Sequence, residues 1–169
     1  LLTGCYPNRI GLPGALGPNS KIGLSDNEVT LAKMFKSRGY ATGMAGKWHL
    51  GDKKEFLPKQ QGFDEYVGIP YSNDMWPVDL EGNPITKLGA YKQDLPILSI
   101  YEGNEPSIYL RNLKDQEQIT RVLTQRSVQF IEKNKNKPFF VYLPHSMPHV
   151  PIAASPAFQG KSKQGLYGD

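Results

Sequence analysis

The run Gly46-Lys47-Trp48-His49-Leu50-Gly51 sets a cation two positions from an imidazole. In an extended segment side chains alternate with period two, so Lys47 and His49 would lie on one side. A compact ammonium beside a group that titrates near neutrality suits an anionic oxygen, and the flanking glycines allow close approach of backbone and ligand. The plainer alternative is an exposed lysine and a packed histidine at a strand end. His145 and His149 form a second constellation, in a segment stiffened by Pro144, Pro148 and Pro151, where side chains are fixed at low entropic cost. Here the alternative is two histidines that cap a loop. Zinc is disfavoured, since the chain has 3 His and 1 Cys, at no zinc-ligand spacing. Ser72-Asn73-Asp74, by itself, is a polar turn. Cys5-Tyr6-Pro7-Asn8-Arg9 has the form Cys-x-Pro-x-Arg.

These residues need elements to hold them. Ser25-Asp26-Asn27-Glu28 fits a capping box, followed by Leu31, Met34 and Phe35 at helical spacing and a terminating Gly39. Residues 40–45 predict a short buried parallel strand. From Gly46 to about Leu113 six prolines leave little room for long elements, apart from a hairpin over residues 95–110 that turns at Gly103-Asn104. Ile119, Val122, Leu123, Phe130 and Ile131 mark one face of a helix over residues 116–133. Residues 139–143, Phe-Phe-Val-Tyr-Leu, predict a central strand of a parallel sheet. Both strands run directly into Lys or His, and in open α/β sheets ligands collect beyond the carboxyl ends of strands.

Composition narrows the class. A chain of 169 residues with 38% hydrophobic content is globular, and 17 glycines with 14 prolines mark a loop-rich fold. The net charge of +4 comes from scattered lysines, not from a basic stripe, so no nucleic-acid partner is expected. No apolar run approaches the roughly 18 residues of a membrane span. A single cysteine excludes an internal disulfide. The opening Leu1-Leu2-Thr3-Gly4 and the closing Leu166-Tyr167-Gly168-Asp169 read as an internal piece of something longer, in which case no targeting signal is to be sought within the chain.

Taken in order, these segments resemble the sulfatase family, and its arylsulfatase A-like branch in particular. The family signature runs Cys-x-Pro-Ser-Arg, a short spacer, Leu-Leu-Thr-Gly-Arg and Pro-x-Arg-x-Gly. Leu1-Leu2-Thr3-Gly4-Cys5-Tyr6-Pro7-Asn8-Arg9-Ile10-Gly11 matches its second half, with Cys5 where arginine usually stands. Residues 39–51 resemble the family's strand and Lys/His loop. Gln61-Gly62-Phe63-Asp64 and residues 68–74 resemble the narrower branch, and residues 137–151 resemble a later strand and its histidine. The likeness is weakest over residues 78–118.

The resemblance implies an α/β, alkaline-phosphatase-like fold with a central, mostly parallel sheet flanked by helices, of which residues 1–169 would be an internal part of one catalytic domain. It implies hydrolysis of a sulfate monoester on a sulfated small molecule, glycan or glycolipid. Lys47 would bridge the sulfate and a formylglycine hydrate, and His49 would hold the hydrate hydroxyl and take its proton. His149 would bind a sulfate oxygen and protonate the leaving alcohol, Ser72 would add a hydrogen bond at the rim, and His145 has no firm counterpart. The formylglycine would come from a cysteine upstream of Leu1, made by a maturation enzyme, and Cys5 would not be the nucleophile. A calcium ion would be held by ligands outside the chain, with no metal ligand inside it, and a second sulfate-binding lysine would lie beyond residue 169. A fragment lacking these groups would not turn over. The family also implies a periplasmic, secreted or lysosomal setting. The rivals are a phosphatase or phosphodiesterase of the same superfamily and a non-catalytic binder of sulfated glycans.

Overall fold

The computed structural model describes residues 1–86 and 90–169. Among the described residues three α-helices, α1 (Leu31–Lys36), α2 (Leu113–Gln116) and α3 (Ile119–Asn134), accompany five strands. The strands are β1 (Ala41–Lys47), β2 (Glu65–Ile69), β3 (Ser99–Glu102), β4 (Glu105–Tyr109) and β5 (Phe139–Tyr142), in the sheet order β4-β3-β2-β1-β5. β1 pairs in parallel with β2 and with β5, while β2–β3 and β3–β4 are antiparallel. The sheet is therefore mixed, and its parallel half carries the loops of interest.

β1 is the spine of the molecule. Its successive side chains point to opposite faces: Met44 joins a cluster with Leu24, Trp48 and Phe63, and Ala45 joins one with Ile69, Ile119 and Leu123. α3 packs on β1, β2 and β5, and α1 packs on β1 and β5. At Gly43 a Cβ would lie 2.7 Å from the Phe130 ring, so the glycine is what lets α3 approach the sheet so closely.

Several elements differ from the sequence reading. Helix α1 is capped by Thr30, whose hydroxyl accepts from Lys33 N at 3.1 Å, and not by the Ser25–Glu28 box. The reason is tertiary: the Thr30 hydroxyl is buried and donates to Gln61 O at 2.6 Å, which fixes the helix start beyond the local box. Ser25 instead closes a turn onto the amides of Asn27 and Glu28. Strand β1 runs two residues past Ala45, because Gly46 and Lys47 still find partners in Gly68 and Ile69. β2 lies within the stretch read as irregular. β5 stands at the sheet edge, not at its centre, with all four residues half-buried; Phe140 stacks on Phe35 at 4.7 Å. The hairpin forms as β3 and β4, turning at Gly103 with φ 66°. Within the stretch 78–118, positions 87–89 lie outside the described residues. No helix among the described residues is long and apolar enough to cross a membrane.

Candidate functional site

The carboxyl ends of the three parallel strands deliver the polar residues. Lys47 ends β1, Ser72 follows closely on β2, and the segment carrying His145 and His149 follows β5. Lys47 Nζ donates to Ser72 Oγ at 3.3 Å, and Ser72 Oγ lies 3.4 Å from His49 Nδ1. Lys47 and His49 thus meet through a shared hydroxyl, and not by the alternation of an extended strand. His49 takes up left-handed backbone, φ 62°, held by its amide donating to Pro70 O at 2.7 Å while Trp48 N donates to Ile69 O.

The proton on His49 can be placed. Its Nε2 is 2.9 Å from Leu16 O; a carbonyl only accepts, so Nε2 carries the hydrogen and Nδ1 keeps its lone pair in the neutral ring. Burial first, and then the Lys47 charge, hold the imidazole below the ordinary 6.5. His149 and Asp74 act on the same ring, His149 lowering its pKa and Asp74 raising it. Among the described residues no carboxylate pairs with Lys47, whose remaining donor capacity is available to a ligand.

His149 sits in the loop after β5. Its Nδ1 lies 2.7 Å from Val150 O and 3.9 Å from Asp74 Oδ1. The backbone of this loop is tied to the loop after β2 by Asn73, a fully buried residue that sequence reasoning passed over. Asn73 Nδ2 contacts Gln116 Oε1, Pro151 O and, at 3.4 Å, His149 O; its Oδ1 accepts from Ser146 Oγ, and its carbonyl accepts from Gln116 Nε2. No sequence signal marks Gln116 or Ser146, which contribute only through distant partners. Asn73→Ala strips this clasp and orphans buried groups at about 1–3 kcal/mol each. The expected loss is about 3 kcal/mol in urea denaturation; a loss under about 1 kcal/mol would show that the clasp does not hold the two loops together.

Of the other candidates, His145 is exposed and joins none of these hydrogen bonds among the described residues. Cys5 is an exposed free thiol that lines a groove with Leu1, Pro7 and Trp48. A cleft of about 440 Å³ opens against Gly43, Tyr66 and Phe130 on the α3 side. It includes none of Lys47, His49, Ser72 or His149. Among the described residues no three His, Cys, Asp or Glu side chains are grouped to hold a metal ion, and no step below is routed through one.

Comparison with known proteins gives a consistent result. The family model described as Sulfatase matches residues 1–167. The chain is 38% identical over 181 residues to arylsulfatase A of Bos taurus, covering 100% of this chain and 34% of that protein. It is 34% identical over 180 residues to N-acetylgalactosamine-6-sulfatase of Sus scrofa, covering 100% and 33%. Among solved structures, the PsFucS1 sulfatase from Pseudoalteromonas sp. aligns with a TM-score of 0.81 at 25% identity, over 99% of this chain and 38% of that one. A Bacteroides thetaiotaomicron structure from a study of glycosaminoglycan metabolism aligns with a TM-score of 0.71 at 27% identity, over 99% and 44%. The chain spans about a third of the length of the curated relatives it matches.

Proposed function

Because the chain belongs to the sulfatase family and has its alkaline-phosphatase-like fold, we propose that it supplies part of the active site of a sulfuric ester hydrolase, as an internal portion of one catalytic domain. The observation that carries this reading is the chain Lys47–Ser72–His49, bonded at the carboxyl ends of parallel strands, with the loop that bears His149 tied beside it by Asn73.

The roles follow from the donors and acceptors. Lys47 and the Ser72 hydroxyl grip an anionic sulfate oxygen, in a place where fixed charge is worth more than in water. His49 is neutral, and once the Ser72 hydroxyl turns its hydrogen from Nδ1 to the sulfate, Nδ1 takes up a proton from the attacking hydroxyl. His149 has Nδ1 engaged with Val150 O, which leaves Nε2 to hand a proton to the departing alcohol. In this family the attacking hydroxyl belongs to a formylglycine and calcium polarises the sulfate; both are assigned here to parts of the protein outside residues 1–169, the formylglycine to a cysteine converted by a maturation enzyme. The substrate is proposed to be a sulfated small molecule or glycan, and the setting periplasmic, secreted or lysosomal, as for the family.

Binding tests this reading. In the intact protein that contains this sequence, titration with inorganic sulfate should shift the ring ¹⁵N resonances of His49 and His149 with one shared saturation curve. If only one ring responds, or the two follow different curves, the shared site is wrong.

The pH dependence follows from the direction of the His49 shift. The ring must be neutral to act as a base, and its native pKa lies below 6.5, so the acid limb of kcat/KM should fall at a pH below 6.5. The stability effect has a matching sign. Between the lowered native value and the unfolded value the unfolded chain binds more protons, so this residue's contribution to stability declines as pH drops through that window and then levels off. A pH–rate profile whose acid limb lies above 6.5 would remove His49 from the base role.

A further inference from the structure

We propose that Asp52 is a positioning residue for His49, holding the turn whose neighbouring carbonyl decides which ring nitrogen carries the hydrogen. The inference rests on the sulfate-ester reading for the use made of that ring, but the clasp itself can be tested apart from it.

The segment that follows β1 meets residues 16–20 at two points. His49 Nε2 donates to Leu16 O at 2.9 Å, and Asn19 N donates to Asp52 Oδ2, also at 2.9 Å. Between the two bonds lies a tight turn. Ser20 N donates to Gly17 O at 3.2 Å, Pro18 takes the second position, and Asn19 takes left-handed backbone at φ 64°. This is the type II pattern, in which proline presets one corner and asparagine tolerates the other. The amide at the third position takes no part in closing such a turn, so Asn19 N–H needs an acceptor from elsewhere. Asp52 supplies it.

The Leu16 side chain is buried in the core, which fixes the residue but not the direction of its carbonyl. The peptide plane that bears this carbonyl leads into Gly17, which has no Cβ to restrict its rotation; a Cβ there would sit 2.5 Å from the Tyr91 hydroxyl. The plane is therefore set by the turn, and Asp52 anchors the turn to the same short segment that carries His49. The Tyr71 ring meets the His49 ring edge-on at 5.3 Å, which limits its tilt but does not choose its tautomer.

The consequence is chemical. With Leu16 O in place the hydrogen sits on Nε2, and the Nδ1 lone pair faces Ser72, which also bonds the Lys47 ammonium. With that carbonyl turned away, Nε2 loses its acceptor, and the Ser72 hydroxyl accepts from Nδ1–H as readily as it donates to Nδ1. A ring in that form has no lone pair at Nδ1 to receive the proton of the attacking hydroxyl.

Two measurements on the intact protein decide it. The first is ¹⁵N NMR of the His49 ring with the imidazole neutral, which distinguishes the two tautomers. Asp52→Ala should raise the Nδ1–H form relative to the Nε2–H form by about 3- to 10-fold, the effect of one ordinary hydrogen bond. Asp52→Asn keeps an oxygen for the Asn19 amide and should hold the parent ratio. The second is steady-state turnover of an aryl sulfate. Asp52→Ala should lower kcat by about 10-fold, the scale of a slightly misplaced catalytic group, with KM moved by less than about 3-fold. Asp52→Asn should restore most of the loss. An unchanged tautomer ratio in Asp52→Ala, whatever its kcat, would mark Asp52 as merely structural and overturn the proposal, as would a shifted ratio with full kcat. If the protein hydrolyses no sulfate ester, the functional reading alone fails and the ratio still decides the clasp. If Asp52→Ala unfolds the protein, Asn19→Val opens the same turn from its other side, because a β-branched residue resists left-handed backbone. It should shift the ratio in the same direction, and an unchanged ratio there would equally overturn the proposal.

Discussion

Lys47→Met is expected to lower kcat/KM for an aryl sulfate by on the order of 10²- to 10³-fold, the usual effect of removing one preorganised donor from a developing anion. The ammonium is the single cation in the Lys47–Ser72–His49 chain. Because no carboxylate pairs with it among the described residues, its removal orphans no buried acid, and Tm should stay within about 2 °C of the parent. The variant should also raise the His49 pKa, since the Lys47 charge is the second cause of its depression, after burial. Lys47→Arg should not rescue activity, because a planar fork does not replace a compact point charge at this spacing. Steady-state kinetics with a thermal melt on the same samples settle the matter. Retention of more than about a tenth of the parent kcat/KM would remove Lys47 from the site.

Gly68→Ala is expected to destabilise the protein by about 3 kcal/mol, one of the largest effects available without touching a polar group. A Cβ at Gly68 would sit 1.8 Å from Gly46 O, and one at Gly46 would sit 2.2 Å from Pro144 O. These obstacles are backbone atoms and cannot swing aside. Gly46 also has φ 153°, a conformation that side-chain-bearing residues rarely adopt. The two glycines let β1, β2 and the loop after β5 converge where Lys47, Ser72 and His149 are delivered, so Gly68→Ala should also cost activity in whatever fraction remains folded. Gly14→Ala is the control: nothing lies within 4 Å of its Cβ position, and it should be neutral or slightly stabilising. Equal urea midpoints for the two variants would contradict the close-approach account.

Some of this was legible in the sequence. Period-3.6 spacing marked α3, whose buried Ile119, Leu123 and Phe130 were all in the expected stripe, although Ile131 is 36% exposed. A small, mostly apolar run marked β1, a β-prone run marked β5, and Gly103-Asn104 marked the hairpin. These signals are local, set by neighbours within a few residues. What escaped depends on distant partners. β2 carries a glycine and a leading glutamate and becomes a strand only because β1 and β3 flank it. Thr30 caps α1 because Gln61 anchors its hydroxyl. β5 has the composition of a central strand but stands at an edge. Lys47 and His49 were singled out by their chemistry on an alternation argument that presumed extended backbone, whereas His49 is left-handed. Asn73 was invisible because a polar turn looks the same whether or not the backbone of a far loop rests against it.

The sulfate-ester assignment is tested most directly by offering the intact protein 4-nitrophenyl sulfate and 4-nitrophenyl phosphate side by side and measuring nitrophenol release from each. A site gripped by one ammonium, one hydroxyl and two imidazoles, as described above, should turn over the sulfate with kcat/KM at least about 10²-fold above the phosphate, with Lys47→Met abolishing the difference. Faster release from the phosphate, or release from the sulfate that survives Lys47→Met undiminished, would contradict it.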